Sequence, residues 1–189
     1  LFDVKVLETG DNTTRVLAAG HHAVDEGDQF HQASLITYRI TASSGGGISG
    51  VEREEEPYVA KNNRPSSFRS LAVHDGQVVA AGTFEKSGVR RMFVSAFEHQ
   101  DGIVNPFMDE VFEGDDNAED DLDKASKLAD VVRVGDRFLM SGWTPQKDTV
   151  NSNFSPSDGW LGVLRVEGGE ARRDGCFGEA IPPGTVLDE

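Results

Sequence analysis

The chain has 189 residues, enough for one domain with a substantial core, and its longest apolar runs fall far short of the ~20 residues a membrane-spanning helix needs. It carries 33 Asp plus Glu against 18 Lys plus Arg, a formal net charge of −15. That balance excludes the extended basic face that nucleic acid or an anionic membrane requires, and the single Cys176 excludes an internal disulfide.

The chain is strand-like from Leu1-Phe2-Asp3-Val4 and shows no charged-then-apolar leader, so the expectation is a cytoplasmic protein or one whose leader has been removed. Residues 4–12 (VKVLETGDN) read as an alternating strand and turn, and Arg15-Val16-Leu17-Ala18-Ala19-Gly20 as a second strand closed by glycine. A third strand follows at 34–40 (SLITYRI), then a Gly-rich turn at 43–47 and a weaker fourth strand at 48–54 (ISGVERE). The same order then restarts. Residues 70–76 (SLAVHDG) lead into Gln77-Val78-Val79-Ala80-Ala81-Gly82, then 92–98 (MFVSAFE), and a weak strand at 102–107 (GIVNPF). It starts once more at 130–136 (DVVRVGD), with Arg137-Phe138-Leu139-Met140-Ser141-Gly142, then 160–166 (WLGVLRV) and a weak strand at 170–175 (EARRDG). Asp75-Gly76 between apolar runs is a strong hairpin signal, because both turn positions need positive φ. Residues 118–132 hold at most one or two surface helical turns.

The closing glycines Gly20, Gly82 and Gly142 are 62 and 60 residues apart. Four strands every ~60 residues is the pattern of a propeller blade. The predicted fold is therefore all-β: a partial β-propeller of about three four-stranded blades, one domain with repeats at roughly 1–62, 63–124 and 125–189. A β-sandwich is the alternative, but it predicts no internal period. The glycines suit a bulge, a bend or a close backbone approach.

The second copy, LAVHDGQVVAAGTF followed by MFVSAFEHQDGIVNPF, resembles the bacterial delta-60 repeat through Asp75, Gly76, Ala81, Gly82, Phe93, Asp101, Gly102 and Phe107. The first copy keeps Ala19-Gly20 and Tyr38-Arg39, and the third keeps Gly142 and Arg165; Ser141 replaces the family's Ala and Asn105 its Asp. The resemblance implies a propeller in an extracellular or surface protein, with no common catalytic residues. The expected location is extracellular or periplasmic, and a cytoplasmic one stays open.

Three segments carry candidate sites. In 20–31 (GHHAVDEGDQFH), His21, His22 and His31 are metal-ligand types close to carboxylates. Neighbouring histidines on a strand point to opposite faces, so a shared ion requires a loop. In 108–123 (MDEVFEGDDNAEDDLD), Asp115, Asp116 and Asp120 are the candidate oxygens for calcium, the single cofactor the sequence leaves open. The ordered calcium-loop motif is absent, and a solvated acidic insertion is the plainer reading. In 142–160, Trp143, Asn151, Asn153 and Trp160 frame and line a long polar loop suited to stacking on a sugar or peptide. No Gly-rich phosphate loop, Gly-x-Ser-x-Gly elbow or Cys-x-x-Cys pair is present.

The sequence thus points to a non-catalytic propeller module. It would bind a protein or glycan partner through its loops. Known propellers need at least four blades, so another polypeptide or a second copy would complete the ring. The alternative is a propeller hydrolase or lyase with a His/carboxylate site, metal-dependent or not, built on His21, His22, His31 or His74.

Overall fold

The structure is a computed structural model that describes residues 1–23, 31–54, 57–60, 65–86, 89–100, 103–112, 127–145, 157–167, 170–173 and 180–181. Among them there is no helix, and fourteen strands form three antiparallel sheets. The first sheet runs β1 (Asp3–Thr9), β2 (Thr13–Ala23), β3 (His31–Ala42), β4 (Ile48–Arg53), with β5 (Tyr58–Val59) on the far part of β3. The second runs β6 (Ser66–His74), β7 (Gln77–Lys86), β8 (Val89–Gln100), β9 (Ile103–Phe112). The third runs β10 (Lys127–Val134), β11 (Arg137–Pro145), β12 (Ser157–Glu167), β13 (Glu170–Arg173), with β14 (Ala180–Ile181) on β12.

In each sheet the first four strands pair antiparallel in chain order, at a register their alternation fixes. Asp75 (φ 46°) and Gly76 (φ 77°) both take positive φ, as the hairpin between β6 and β7 demands. The fourth strand of the second sheet is longer than its sequence promises, since β9 passes through Pro106. A register shift there leaves Pro106 opposite Phe97 and Met108 opposite Ala96, and such a bulge tolerates a residue with no N–H to donate. The expected helical turns of 118–132 are corrected over their last residues: Lys127–Val134 is strand β10, whose Val131, Val132 and Val134 favour an extended chain. Residues 113–126 lie outside the described set.

The sheets pack face to face in chain order. The front face of the first, with Leu17, Ala19, Ala33 and Leu35, meets the back face of the second at Phe68, Leu71, Val78, Ala80, Phe93 and Phe97. The front face of the second, with Ala72, Val79, Ala81, Val94 and Ala96, meets the back face of the third at Val131, Phe138, Met140, Leu164 and Val166. Adjacent residues of one strand thus serve two different cores: Val78 looks back and Val79 forward, both fully buried. Phe68 stacks on Phe93 (5.3 Å) and meets Phe97 edge-on (6.1 Å), an aromatic filling for the first joint. Ser66 Oγ accepts the Ala33 N–H (2.9 Å) across that joint.

Gly82 shows why a strand closes on glycine. A Cβ built there would sit 1.9 Å from the Ser67 carbonyl oxygen and 2.9 Å from the Phe68 Cα. The inner strand β6 carries a register shift between Phe68 and Ser70, which brings its backbone over Gly82. The third sheet has the same shift between Leu128 and Asp130, opposite Gly142 and Ser141. Space, rather than backbone angle, dictates the residue. At Gly20 the Cβ would lie 3.2 Å from the Leu1 Cα, a milder conflict.

Gly82→Ala is therefore expected to cost about 2 kcal/mol or more, with a smaller loss for Gly20→Ala. Urea unfolding of the two variants checks this order, and equal losses would contradict it.

Candidate functional site

The inner strands of the three sheets lie side by side, and one register position links them. Asp3 faces Ala19, Ser70 faces Ala81 and Asp130 faces Ser141, so these three polar residues hold the same place in successive sheets. Asp3 Oδ2 accepts the Leu71 N–H of the next sheet (2.8 Å). Ser70 Oγ accepts the Val131 N–H of the sheet after that (3.3 Å). The Ser70 hydroxyl has one proton and donates it to Asp130 in a short hydrogen bond, while its 3.5 Å approach to Asp3 is a looser contact. Asp3 and Asp130 also accept the following N–H of their own strands, from Val4 (2.8 Å) and Val131 (2.9 Å). At this register position a polar side chain in one sheet receives a backbone N–H from the next sheet. Such charge-assisted bonds fix the inner edges of the stack.

One residue earlier on the inner strands lies a second cluster. Phe2 and Arg69 precede Asp3 and Ser70, and the Arg69 guanidinium lies 4.0 Å from the centre of the Phe2 ring. Phe2 in turn meets His21 edge-on (5.4 Å), and His21 stacks flat on His31 (4.5 Å, 7° between planes). The stack follows from the ladder: His21 pairs with Ala33 and Ala23 with His31, so the two imidazoles are diagonal neighbours on one face. His22, opposite Gln32, belongs to the other face and is exposed. Partial burial holds the His21 imidazolium below the usual histidine range, and the neighbouring His31, the Leu1 amino group and Arg69 add to it. Arg69 brings its charge to this end of the stack, over the Phe2 ring. The segments 24–30 and 146–156 leave from this same end, after β2 and β11.

The opposite end of the first sheet carries an ion cluster. Glu54, its side chain only 8% exposed, is held by Arg15 Nε (3.1 Å) and by a short contact from Arg39, while Arg15 also reaches Glu8 (3.2 Å). Burial works against the Arg15 charge, but Glu54 and then Glu8 outweigh it and raise the guanidinium pKa. An open pocket of about 320 Å³ lies against Glu8, Gly10, Thr13, Arg15 and Arg39. Both guanidinium groups already have carboxylate partners, so the pocket presents a compensated surface rather than a free anion site.

Of the residues singled out in the sequence, the structure brings His21 and His31 together and sets His22 apart. All three are strand residues, not members of the loop that a shared ion would require. Trp143 and Trp160 are also in strands, Trp143 opposite Gly159 and Trp160 opposite Gly142. Asn151, Asn153, Asp115, Asp116 and Asp120 lie outside the described residues. Among the described residues no group of three or more His, Cys, Asp or Glu side chains could hold a metal ion. No helix among them is long and apolar enough to cross a membrane. Sequence reading missed Asp3, Ser70 and Asp130, although a signal exists: each stands just before the apolar run of an inner strand, in DVKV, SLAV and DVVR. No family model matches the chain, and no curated protein matches it.

The histidine stack sets a pH dependence. The folded pKa of His21 is lowered, so the unfolded chain binds the proton more readily. Its stabilising contribution is complete above the ordinary histidine value of about 6.5 and is lost as pH falls from there through the folded pKa. His21→Gln should flatten the drop in melting temperature on that acid limb. Titration by NMR is expected to give His21 a midpoint below that of a free histidine, and a midpoint at or above it would contradict the assignment.

Proposed function

We propose that this chain is a non-catalytic binding and structural module of the β-propeller type. Its three sheets act as successive blades of a ring that another chain or another copy completes. The observation that carries this reading is the contrast between the inner joints and the two end faces. On the back of the first sheet, Val4 is 50% exposed, whereas Leu71, at the same register position in the second sheet, is fully buried. On the front of the third sheet, Val132 is 45% exposed, whereas Ala72 at the corresponding position is 4% exposed. Val6, Ile48 and Val51 extend the first patch, and Val134 extends the second. Exposed apolar side chains grouped on one face of a sheet mark interaction surfaces.

The resemblance of the second sheet's sequence to the delta-60 repeat supports the same reading and favours an extracellular or periplasmic location. Partner binding is assigned to the end bearing the Phe2, His21, His31 and Arg69 cluster. There the connections after β2 and β11 leave the scaffold, and binding loops are commonly carried by rigid sheets in this way. The partner would be a protein or a glycan, which aromatic side chains such as Phe2 suit.

Sedimentation velocity tests the role of the end faces. The parent chain is expected to sediment as a species heavier than its 20.5 kDa. The double variant Val6→Lys, Val132→Lys should sediment as a single chain with unchanged circular dichroism, because both residues are exposed and their loss disturbs no core. Identical sedimentation of parent and variant would show that the faces need no cover.

A further inference from the structure

We infer that the open pocket beside Arg15 and Arg39 binds a small zwitterion, of the class of a free amino acid. This site stands apart from the Phe2 end of the stack, and it does not depend on what covers the end faces.

The sign of the charges carries the argument. The pocket, about 320 Å³, lies against Glu8, Gly10, Thr13, Arg15 and Arg39. Glu54 is not part of this wall; its side chain is only 8% exposed and pairs with both guanidinium groups. A ligand therefore meets two cations and one carboxylate, while the four charged groups together sum to zero. A lone anion or a lone cation gains little from a neutral cluster. A molecule with a carboxylate and an ammonium finds an opposite charge for each. The guanidinium N–H groups suit the carboxylate, and Glu8 suits the ammonium.

The groups also have capacity left for a ligand. Arg15 uses Nε on Glu54 (3.1 Å) and Nη1 on Glu8 (3.2 Å), and Arg39 is held through Nη2. A guanidinium carries further N–H donors beyond these. Glu8 meets Arg15 through Oε2 and its side chain is 65% exposed, while that of Arg39 is 43% exposed. The wall is ordered before any ligand arrives. The Glu54 N–H donates to the Thr37 carbonyl (3.0 Å), and its buried carboxylate steadies both planar guanidinium groups. Gly10 N–H donates to the Thr13 carbonyl (2.7 Å), which fixes the turn at the rim. Such preorganisation lowers the ordering cost of binding. The volume is near the lower limit of small-ligand pockets, roughly 300 Å³, which suits one amino acid better than a longer chain.

The fold does not demand this set of residues. Glu8, Arg15 and Arg39 are neighbours across the ladder of the first sheet. The same places hold His74, Gln77 and Glu98 in the second sheet, and Val134, Arg137 and Arg165 in the third. Three sheets of one pattern fill the row in three unrelated ways. The mixed set of the first sheet therefore answers to something other than the repeat.

The test screens every proteinogenic amino acid singly against the whole chain at millimolar concentration. At least one is expected to raise the melting temperature and to move the amide signals of Gly10 and Thr13 in the NMR spectrum. Its N-acetyl form and its methyl ester each lose one charge, and each should bind at least about tenfold more weakly. Glu8→Gln should weaken the amino acid by a similar factor and leave the N-acetyl form unaffected. The variant keeps the Glu54 pairs, so its melting temperature without ligand should match the parent's. No response to any amino acid would overturn the inference. An N-acetyl form that binds as tightly as the amino acid, or a Glu8→Gln variant that binds the amino acid as the parent does, would overturn it equally. None of these results bears on the ring reading, which the sedimentation experiment tests separately.

Discussion

Both faces of the second sheet are apolar, and the rest of the architecture follows from the need to cover each of them. Val78 and Val79 are consecutive, point to opposite faces and are both fully buried. The first sheet covers one side and the third the other. The first and third sheets carry the same double apolar patterning yet have one neighbour each. Burial at about 25 cal/mol per Å² makes an uncovered face of several valines and leucines a substantial unmet gain. The polar lattice through Asp3, Ser70 and Asp130 adds direction to this non-directional drive. It aligns the first strands of successive sheets.

The strands were legible because their signals are local. Alternation, branched residues and the Asp75-Gly76 turn place the junction of β6 and β7, while each strand runs four residues further at its outer end, β6 from Ser66 and β7 to Lys86. Gly82 was legible as a close-approach position, and Ser67 is the group that approaches it. The extension of β9 was hidden because Pro106 argues locally against a strand, and only the pairing with β8 reveals the bulge that accommodates it.

The site was less legible than the fold. His21 and His31 attract attention as ligand types, but their meaning depends on a diagonal pairing that sequence distance does not disclose. Phe2 and Arg69 are far apart in the chain and ordinary in composition, yet they meet because each occupies the residue before the lattice position of its inner strand. Asp130 reads as one more acid in a strongly acidic chain. Its role emerges from the place it shares with Asp3 and Ser70.

Small-angle X-ray scattering of the chain in solution tests the central claim most directly, because it reads size and shape together. Covered end faces should give a radius of gyration well above the roughly 16 Å of a single chain of 189 residues. A forward intensity of more than one chain should accompany it. A forward intensity of one chain with a radius of roughly 16 Å would mean that three sheets stand alone with both apolar faces in water, and would contradict the account.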